Sequence, residues 1–398
     1  MKLLVYTTLY PNAEQPNHGL FVEKRLQELV RRHPCEVRVI APVPWFPRWL
    51  RGKRYAAFSR IPEREVRGGI EIHHPRYLVV PKLTWRIAPL MLVAGSIRTI
   101  RRLRRQGFDY DVIDAHFIFP DGVAAQLLGS FTGKPVCVTA RGSDINDSPR
   151  YWLPRRAIRW ALGRARAVVA VSSELSKKMR ELCGERLTVH VLPNGVDRSR
   201  FYPRDEPPIA EDKLTGGRVV LTVGNLRDLK GHDILIRAIA LLRDVSLIIV
   251  GTGEEEAKLR RLIIELGVAD RVHLVGAVDN DALPAYYSAA SLFALASSSE
   301  GCPNVVLEAI ACGTPVVATS VGGIPDLVPA SARRFLVSER SAEAFAEAIR
   351  TCLEEPPARQ DLLDRAAEFG WGSTCSRLHD LLLECIGDSS ARAGVLEE

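Results

Sequence analysis

The sequence predicts an α/β fold of two doubly wound, Rossmann-like domains facing a central cleft. Three observations carry this reading. The chain has 398 residues, more than one ordinary core organises and a fitting length for two domains. Short β-branched runs alternate with amphipathic helical stretches through both halves. Apolar runs buried on both faces, with helices between them, indicate parallel sheets. A stretch at 192–217, LPNGVDRSRFYPRDEPPIAEDKLTGG, is rich in Pro, Gly, Asp and Arg and separates the halves.

The first domain is expected over residues 1–192, with strands at 2–8, 35–41, 110–116, 134–140, 166–172 and 187–193. The linker takes 193–217. The second domain, 218–368, has strands at 218–224, 245–251, 271–276, 291–296 and 314–320. After a Gly-Trp-Gly break, an amphipathic helix at 369–388 is expected to pack back toward the first domain, and the last ten residues to fray.

Hydrophobic content of 46% and charged content of 25% fit a globular protein rather than a disordered one. The net charge of +7 is divided unevenly: residues 1–200 carry 35 Lys and Arg against 17 Asp and Glu, leaving +18, and the remainder carries −11. A basic half points to nucleic acid, anionic lipid or phosphorylated ligands. The eight scattered cysteines form no CxxC pair, which argues against zinc and disulfides and for a reducing compartment. MKLLVYTTLYP reads as a first strand rather than a signal peptide, and the apolar charge-free stretch 87–97 is too short to span a bilayer. A cytoplasmic protein follows, with any membrane contact peripheral.

Doubly wound domains bind ligands outside the carboxyl ends of their strands. The chemistry-bearing motifs fall there. In SSSEGCPNVVLEAIACGTPVVAT (297–319), Glu300 sits in the turn after a strand. Pro303 suits the first helical position, the helix runs to about Cys312, and Gly313 and Pro315 end it. The amides of Gly301 and of residues from Asn304 onward can hold hydroxyl or phosphate oxygens. Glu308 lies among apolar neighbours on that helix and needs a partner: a ligand diol, or water if it faces the exposed stripe.

This setting, with two glutamates eight positions apart, resembles the retaining glycosyltransferases of family 4, which have the two-domain GT-B fold. The likeness runs over most of the chain, and NHGLFVEKRLQ is similar to the branch that assembles bacterial surface polysaccharides. The resemblance places Glu300 beside the donor sugar and Glu308 on the nucleotide ribose, with Gly301, Cys302, Pro303, Asn304 and Val305 lining the donor. In VGNLRDLKGHD (223–233), Lys230-Gly231 matches the family's phosphate-binding pattern, Asn225 stands where the family has arginine, and Arg227 lies two residues later. Both cations would flank a pyrophosphate at a helix start, or be solvated loop residues. Gly251 and Gly253 let the backbone approach the nucleotide, or form a plain tight turn.

In the first half, Gly19 would approach the donor phosphate, and His18 precedes it on the acceptor side. His116, just beyond a strand, matches the family histidine near donor sugar and acceptor; a lone histidine is otherwise structural. In VTARGSDIN (138–146), Arg141 replaces the family's histidine while Gly142 and Asp144 remain. An arginine there suggests a phosphate or acidic acceptor, unless Arg141 simply pairs with Asp144. The DYD at 109–111 precedes its strand, so no metal is expected there, and the resemblance implies no cofactor besides the nucleotide-sugar co-substrate. Segment 43–58 interleaves Trp45, Phe46, Trp49 and Leu50 with Arg48, Arg51, Lys53 and Arg54, and segments 96–106 and 152–166 add more cations. They suit an anionic membrane surface, or are helix faces packed on the core.

The resemblance implies metal-independent, retaining hexosyl transfer from a nucleotide-diphosphate sugar to a glycan or lipid-linked acceptor. On this resemblance Glu300, His116 and Lys230 would be the catalytic residues, and domain closure would exclude water. The rival readings are a GT-B nucleotide-sugar epimerase and a non-catalytic nucleotide-sugar-binding protein. No nucleic-acid-binding module is recognisable, and the oligomeric state is open.

Overall fold

The computed structural model describes residues 1–46, 53–80, 84–204 and 217–393. Arg48, Trp49, Leu50 and Arg51, residues 205–216 of the expected linker and residues 394–398 lie outside the described residues, as do the side chains of Lys53 and Arg54. The chain divides into two units: unit 1 is Met1–Asn194 with Gly372–Glu398, and unit 2 is Gly195–Trp371.

Unit 1 is built on β1 (Lys2–Tyr6), β2 (Glu36–Ile40), β3 (Val43–Trp45), β4 (Arg64–Arg67), β5 (Ile70–His73), β6 (Arg76–Leu78), β7 (Val112–His116), β8 (Val136–Ala140), β9 (Ala167–Ala170) and β10 (His190–Val191). Eight of these form one sheet in the order β10-β9-β8-β7-β1-β2-β5-β4, and β3 and β6 form a separate ribbon. Every pairing in the large sheet is parallel except β4 with β5. β7 and β8 are buried along their whole length, which is why their sequences read as continuous apolar runs. The order reverses at β1, so β1, β7 and β8 present their carboxyl ends at the position where doubly wound sheets bind ligands. β3 to β6 are additions to the expected strand set.

Helix Trp371–Ala393 completes unit 1. Its Cys375 thiol donates to the Arg25 carbonyl at 3.7 Å, and Arg377 donates to Val191 O at 3.3 Å.

Unit 2 contains β11 (Arg218–Val223), β12 (Val245–Val250), β13 (Val272–Gly276), β14 (Leu292–Leu295), β15 (Val316–Thr319) and β16 (Leu336–Val337). They form one parallel sheet ordered β13-β12-β11-β14-β15-β16. The crossover from β13 to β14 passes across β12 and β11, so the loops after β11, β12 and β14 meet at the switch point. Residues Gly195–Arg204 of the expected linker belong to this unit. Phe201 is buried with its ring 6.1 Å from Tyr287, and Val196 N donates to Phe369 O at 2.9 Å.

Candidate functional site

Three contacts assemble the loops at the switch point of unit 2. Ser298 N donates to Leu229 O at 2.8 Å, joining the turn after β14 to the short turn Asp228–Lys230 after β11. Arg340 donates to Ala296 O at 2.8 Å and to Asp228 O at 3.1 Å, fastening the same two loops from below. Lys230 Nζ then lies 2.6 Å from Glu300 Oε1. Both side chains are mostly covered, so this pair is better shielded than an ordinary surface ion pair.

Helix Asn304–Ala311 follows, with Pro303 as its N-cap rather than its first residue and Cys312 as its C-cap. Val306, Leu307, Ala309 and Ile310 are buried, while Asn304, Val305 and Glu308 are partly exposed. Glu308 Oε2 accepts the Tyr287 hydroxyl at 3.0 Å. The protein thus supplies one partner where the sequence pointed to a ligand diol or water. Cys302 and Pro303 are buried and Gly301 is half-buried. Arg227 is exposed on the loop before Lys230. Gly251 (φ 143) and Gly253 have a packing reason of their own: a Cβ at either would collide with the carbonyl of Gly224 or Leu226.

In unit 1 the carboxyl ends of β7 and β8 bring His116 and Arg141 together. The Arg141 guanidinium lies 2.7 Å from His116 Nδ1, donates to Asn194 Oδ1 at 2.9 Å, and stands 4.9 Å from the centre of the Phe21 ring. Arginine can only donate, so His116 Nδ1 must accept and the ring proton belongs on Nε2. That nitrogen points at Asp114 Oδ2, 3.4 Å away. Burial, with Arg141 adding to it, pulls the His116 pKa down to about 4 against the opposing charge of Asp114. Burial pushes Asp114 upward, but His116, Arg25 and Arg141 outweigh it and bring it to about 2. His116 is therefore a fully buried, neutral imidazole held on both sides.

Asp144 spends its carboxylate on the amides of Ile118 and Gly142, each at 2.7 Å, and of Arg141 at 3.1 Å. It is wholly buried, so its side chain shapes the loop from beneath. The Arg141 side chain does not pair with it. His18 is half-buried, with Nε2 3.1 Å from Thr8 O, and burial lowers its pKa. Gly19 (φ 72) starts helix Leu20–Arg32, and a Cβ there would collide with the Leu9 carbonyl.

Asp114, Asn194 and Tyr287 were not singled out from sequence. Asp114 had a signal: a carboxylate inside the apolar run VIDAH, two residues before His116 and so on the same strand face. Asn194 and Tyr287 had none, because tertiary approach alone brings them to Arg141 and Glu308.

Two family models match the chain: glycosyl transferases group 1 over residues 204–369 and glycosyltransferase family 4 over residues 22–200. A Bacillus subtilis protein named as a teichuronic acid biosynthesis glycosyltransferase, TuaC, is 34% identical over 394 residues, covering 95% of this chain and 97% of its own. Among solved structures, the sucrose-phosphate synthase of Thermosynechococcus elongatus superposes with a TM-score of 0.78 at 20% identity, covering 97% of this chain and 99% of its own. Anabaena HepE, solved in complex with UDP and glucose, gives 0.69 at 21% identity over 96% of this chain and 98% of its own. With strand order, switch-point loops and near-complete sequence coverage in agreement, the chain belongs to the family 4 glycosyltransferases of GT-B fold, and its activity is glycosyl transfer in polysaccharide or glycolipid biosynthesis.

Proposed function

We propose that the protein transfers a hexosyl group from a nucleotide-diphosphate sugar to a glycan or lipid-linked acceptor, with retention at the anomeric carbon and without a metal. The observation that carries the donor assignment is the shielded Lys230–Glu300 pair at the switch point of unit 2. HepE, a neighbour in fold, is solved with UDP and glucose, which supports a nucleotide-diphosphate donor. Retention and metal independence rest on the family resemblance. In this reading the donor diphosphate takes Lys230 from Glu300, and the released carboxylate accepts hydroxyls of the donor sugar. The bond from the anomeric carbon to the phosphate oxygen breaks with its electron pair going to the diphosphate. The acceptor oxygen bonds to that carbon, and its proton passes to the diphosphate. Lys230 and the amides at the start of helix Asn304–Ala311 stabilise the developing charge. Glu308 holds the ribose, and Gly251, Gly253 and Arg227 line the donor. In unit 1, Arg141 receives a phosphate or acidic group of the acceptor, with His18, Gly19 and His116 beside it.

The test combines mutation and product analysis. Glu300→Gln and Lys230→Ala each abolish transfer while the circular dichroism spectrum stays native. Near-normal turnover of either variant refutes the assignment. The anomeric configuration of the product, read by NMR, and turnover after chelation test the stereochemistry and the metal independence.

Peripheral docking on an anionic membrane belongs to the same proposal. Among the described residues no helix is long and apolar enough to cross a bilayer. Trp85 and Tyr151 meet edge to face at 4.6 Å, and Trp152 beside them is 69% exposed. Leu90 is exposed as well, and the exposed Arg86, Arg150, Arg155 and Arg156 are near the cluster's residues in sequence. Exposed aromatic rings with arginines near them in sequence suit an anionic headgroup layer. Of the segments expected to serve this role, Trp45 is exposed but Phe46 is buried. Flotation with anionic but not neutral vesicles, reduced by Trp85→Ser with Trp152→Ser, is the expected result. Equal flotation with both vesicle types removes the docking reading and leaves the transfer reading untouched.

A further inference from the structure

The loop after β11 carries Lys230, and the turn after β14 carries Glu300. The two side chains can act together only while these loops keep one relative position, since a displacement of about 1 Å at a reacting group can cost about a hundredfold in rate. A third loop, after β16, bonds to both. β16 lies two strands from β14 in the sheet, and Arg340 follows β16 by three residues. Its backbone is pinned on either side. Ser341 N donates to Glu339 O at 2.9 Å, and the Ser341 hydroxyl accepts Ala344 N at 3.2 Å, capping helix Ala342–Glu354.

The Arg340 side chain spans the distance. Its Nε donates to the carbonyl of Ala296, just past β14, and its Nη2 to the carbonyl of Asp228, two residues before Lys230. Both acceptors are backbone carbonyls, so the contact depends on the geometry of the guanidinium fork rather than on charge pairing. Gly231 makes room for it. With φ 67 it starts helix His232–Ala240, and a Cβ there would stand 2.2 Å from Ala296 O and 2.9 Å from Arg340 Nη2. The glycine after Lys230, the carbonyl past β14 and the guanidinium thus share one tightly packed corner.

The Glu300 turn has further anchors of its own. Gly323 N donates to Gly301 O at 2.9 Å, and the Thr319 hydroxyl donates to Ser297 O at 2.6 Å. The Lys230 turn is joined to it through Ser298 N on Leu229 O and through Arg340. Loss of the Arg340 fork therefore loosens Lys230 more than Glu300.

We propose that Arg340 is a positioning residue for glycosyl transfer: its guanidinium sets the Lys230 turn against the Glu300 turn. This rests on the assignment of Lys230 and Glu300 to the transfer centre.

The experiment is pulse acetylation of the full chain with acetic anhydride, read residue by residue by mass spectrometry, together with turnover. Lys134 of unit 1 is the internal reference, because its side chain is 21% exposed like that of Lys230 and is also ion-paired, to Asp109 at 3.1 Å. In Arg340→Gln, Lys230 is expected to label about threefold faster or more relative to Lys134, and turnover to fall about tenfold or more. Removing a positive charge by itself favours the unreactive ammonium form and slows labelling, so a rise reports the lost fork. Arg340→Lys keeps the charge but not the planar fork, and is expected to match Arg340→Gln. Arg271→Gln controls for general loosening of unit 2. Arg271 also donates to carbonyls, those of Ile239, Leu242 and Val245, but at the amino ends of β12 and β13. It is expected to leave Lys230 labelling unchanged even where the melting temperature falls. Unchanged Lys230 labelling or parental turnover in Arg340→Gln overturns the proposal. So does parental labelling in Arg340→Lys, or an equal rise in Arg271→Gln. Inorganic pyrophosphate scores the transfer reading separately: it should protect Lys230 of the parent protein from acetylation. Failure to protect counts against the donor assignment of Lys230, whereas labelling of the Arg340 variants without pyrophosphate decides whether Arg340 holds the turn.

Discussion

Glu308 shows how one buried contact orients an acid on an apolar helix. A carboxylate on a largely apolar helix is costly unless it is hydrogen-bonded. Tyr287 supplies that bond at 3.0 Å, and its own ring is wholly buried among Phe201 and Phe293. The hydroxyl therefore sets where the carboxylate points. Tyr287→Phe keeps the packing and deletes only the donor. A hydrogen bond to a charged group contributes about 1.5–3 kcal/mol, and a half-buried acid regains part of that from water, so a loss of about 1–2 kcal/mol of stability is expected. If Glu308 holds the ribose equally in ground and transition states, KM rises several-fold and kcat stays near its normal value. A fall in kcat with KM unchanged would move Glu308 from binding to chemistry. The same reasoning applies to His116: it is buried and accepts from Arg141, so the guanidinium fixes where the ring lies.

Helix Leu20–Arg32 begins where the chain turns sharply after β1. Gly19 makes that turn with φ 72 and with the Leu9 carbonyl packed where a Cβ would stand. Gly69 offers a control, since it has φ 80 but nothing within 4 Å of a Cβ. Gly69→Ala should cost only the backbone penalty, about 1–2 kcal/mol. Gly19→Ala should cost more, because the carbonyl must also move, and should lower transfer by shifting the start of the helix. Equal melting temperatures for the two variants would show that the close approach at Gly19 is not limiting. The expected strands of both sheets were legible in the sequence because parallel strands buried on two faces leave continuous apolar runs. β4 and β5 were missed although REVRGGIEIH carries a Gly-Gly hairpin signal. Their half-exposed, charged alternation hid them among the arginines. Lys230, Glu300 and Glu308 were legible because each sits in or just after a loop that follows a strand. Asn194 and Arg340 act from distant parts of the chain, and no local pattern marks them.

The chain as a whole carries buried titrating groups whose effects on stability oppose one another. His116 in unit 1 and His232 in unit 2 both have pKa values lowered to about 4, chiefly by burial. Between about 6.5 and 4 the unfolded chain binds protons at these sites and the folded chain does not, so acidification destabilises the fold across that window. Asp121 acts in the other direction. It is fully buried under Thr7 and Thr8, and burial raises its pKa to about 7, with the Asp144 charge adding to the shift. Its contribution is complete below about 4 and is lost as pH rises through 7. The wild-type stability curve should therefore change little from pH 7 to 5, because the two effects partly cancel. Asp121→Asn keeps an acceptor for the Thr8 amide and removes the proton uptake, so its melting temperature should fall steeply over the same range. His232→Gln should do the reverse and grow more stable toward pH 5, relative to its own value at pH 7. Melting temperatures of the three proteins at pH 7.5, 6 and 5 decide the matter. Parallel curves would mean that these groups are solvated in the native state, and that the hydrogen bonds around Asp121 outweigh its burial.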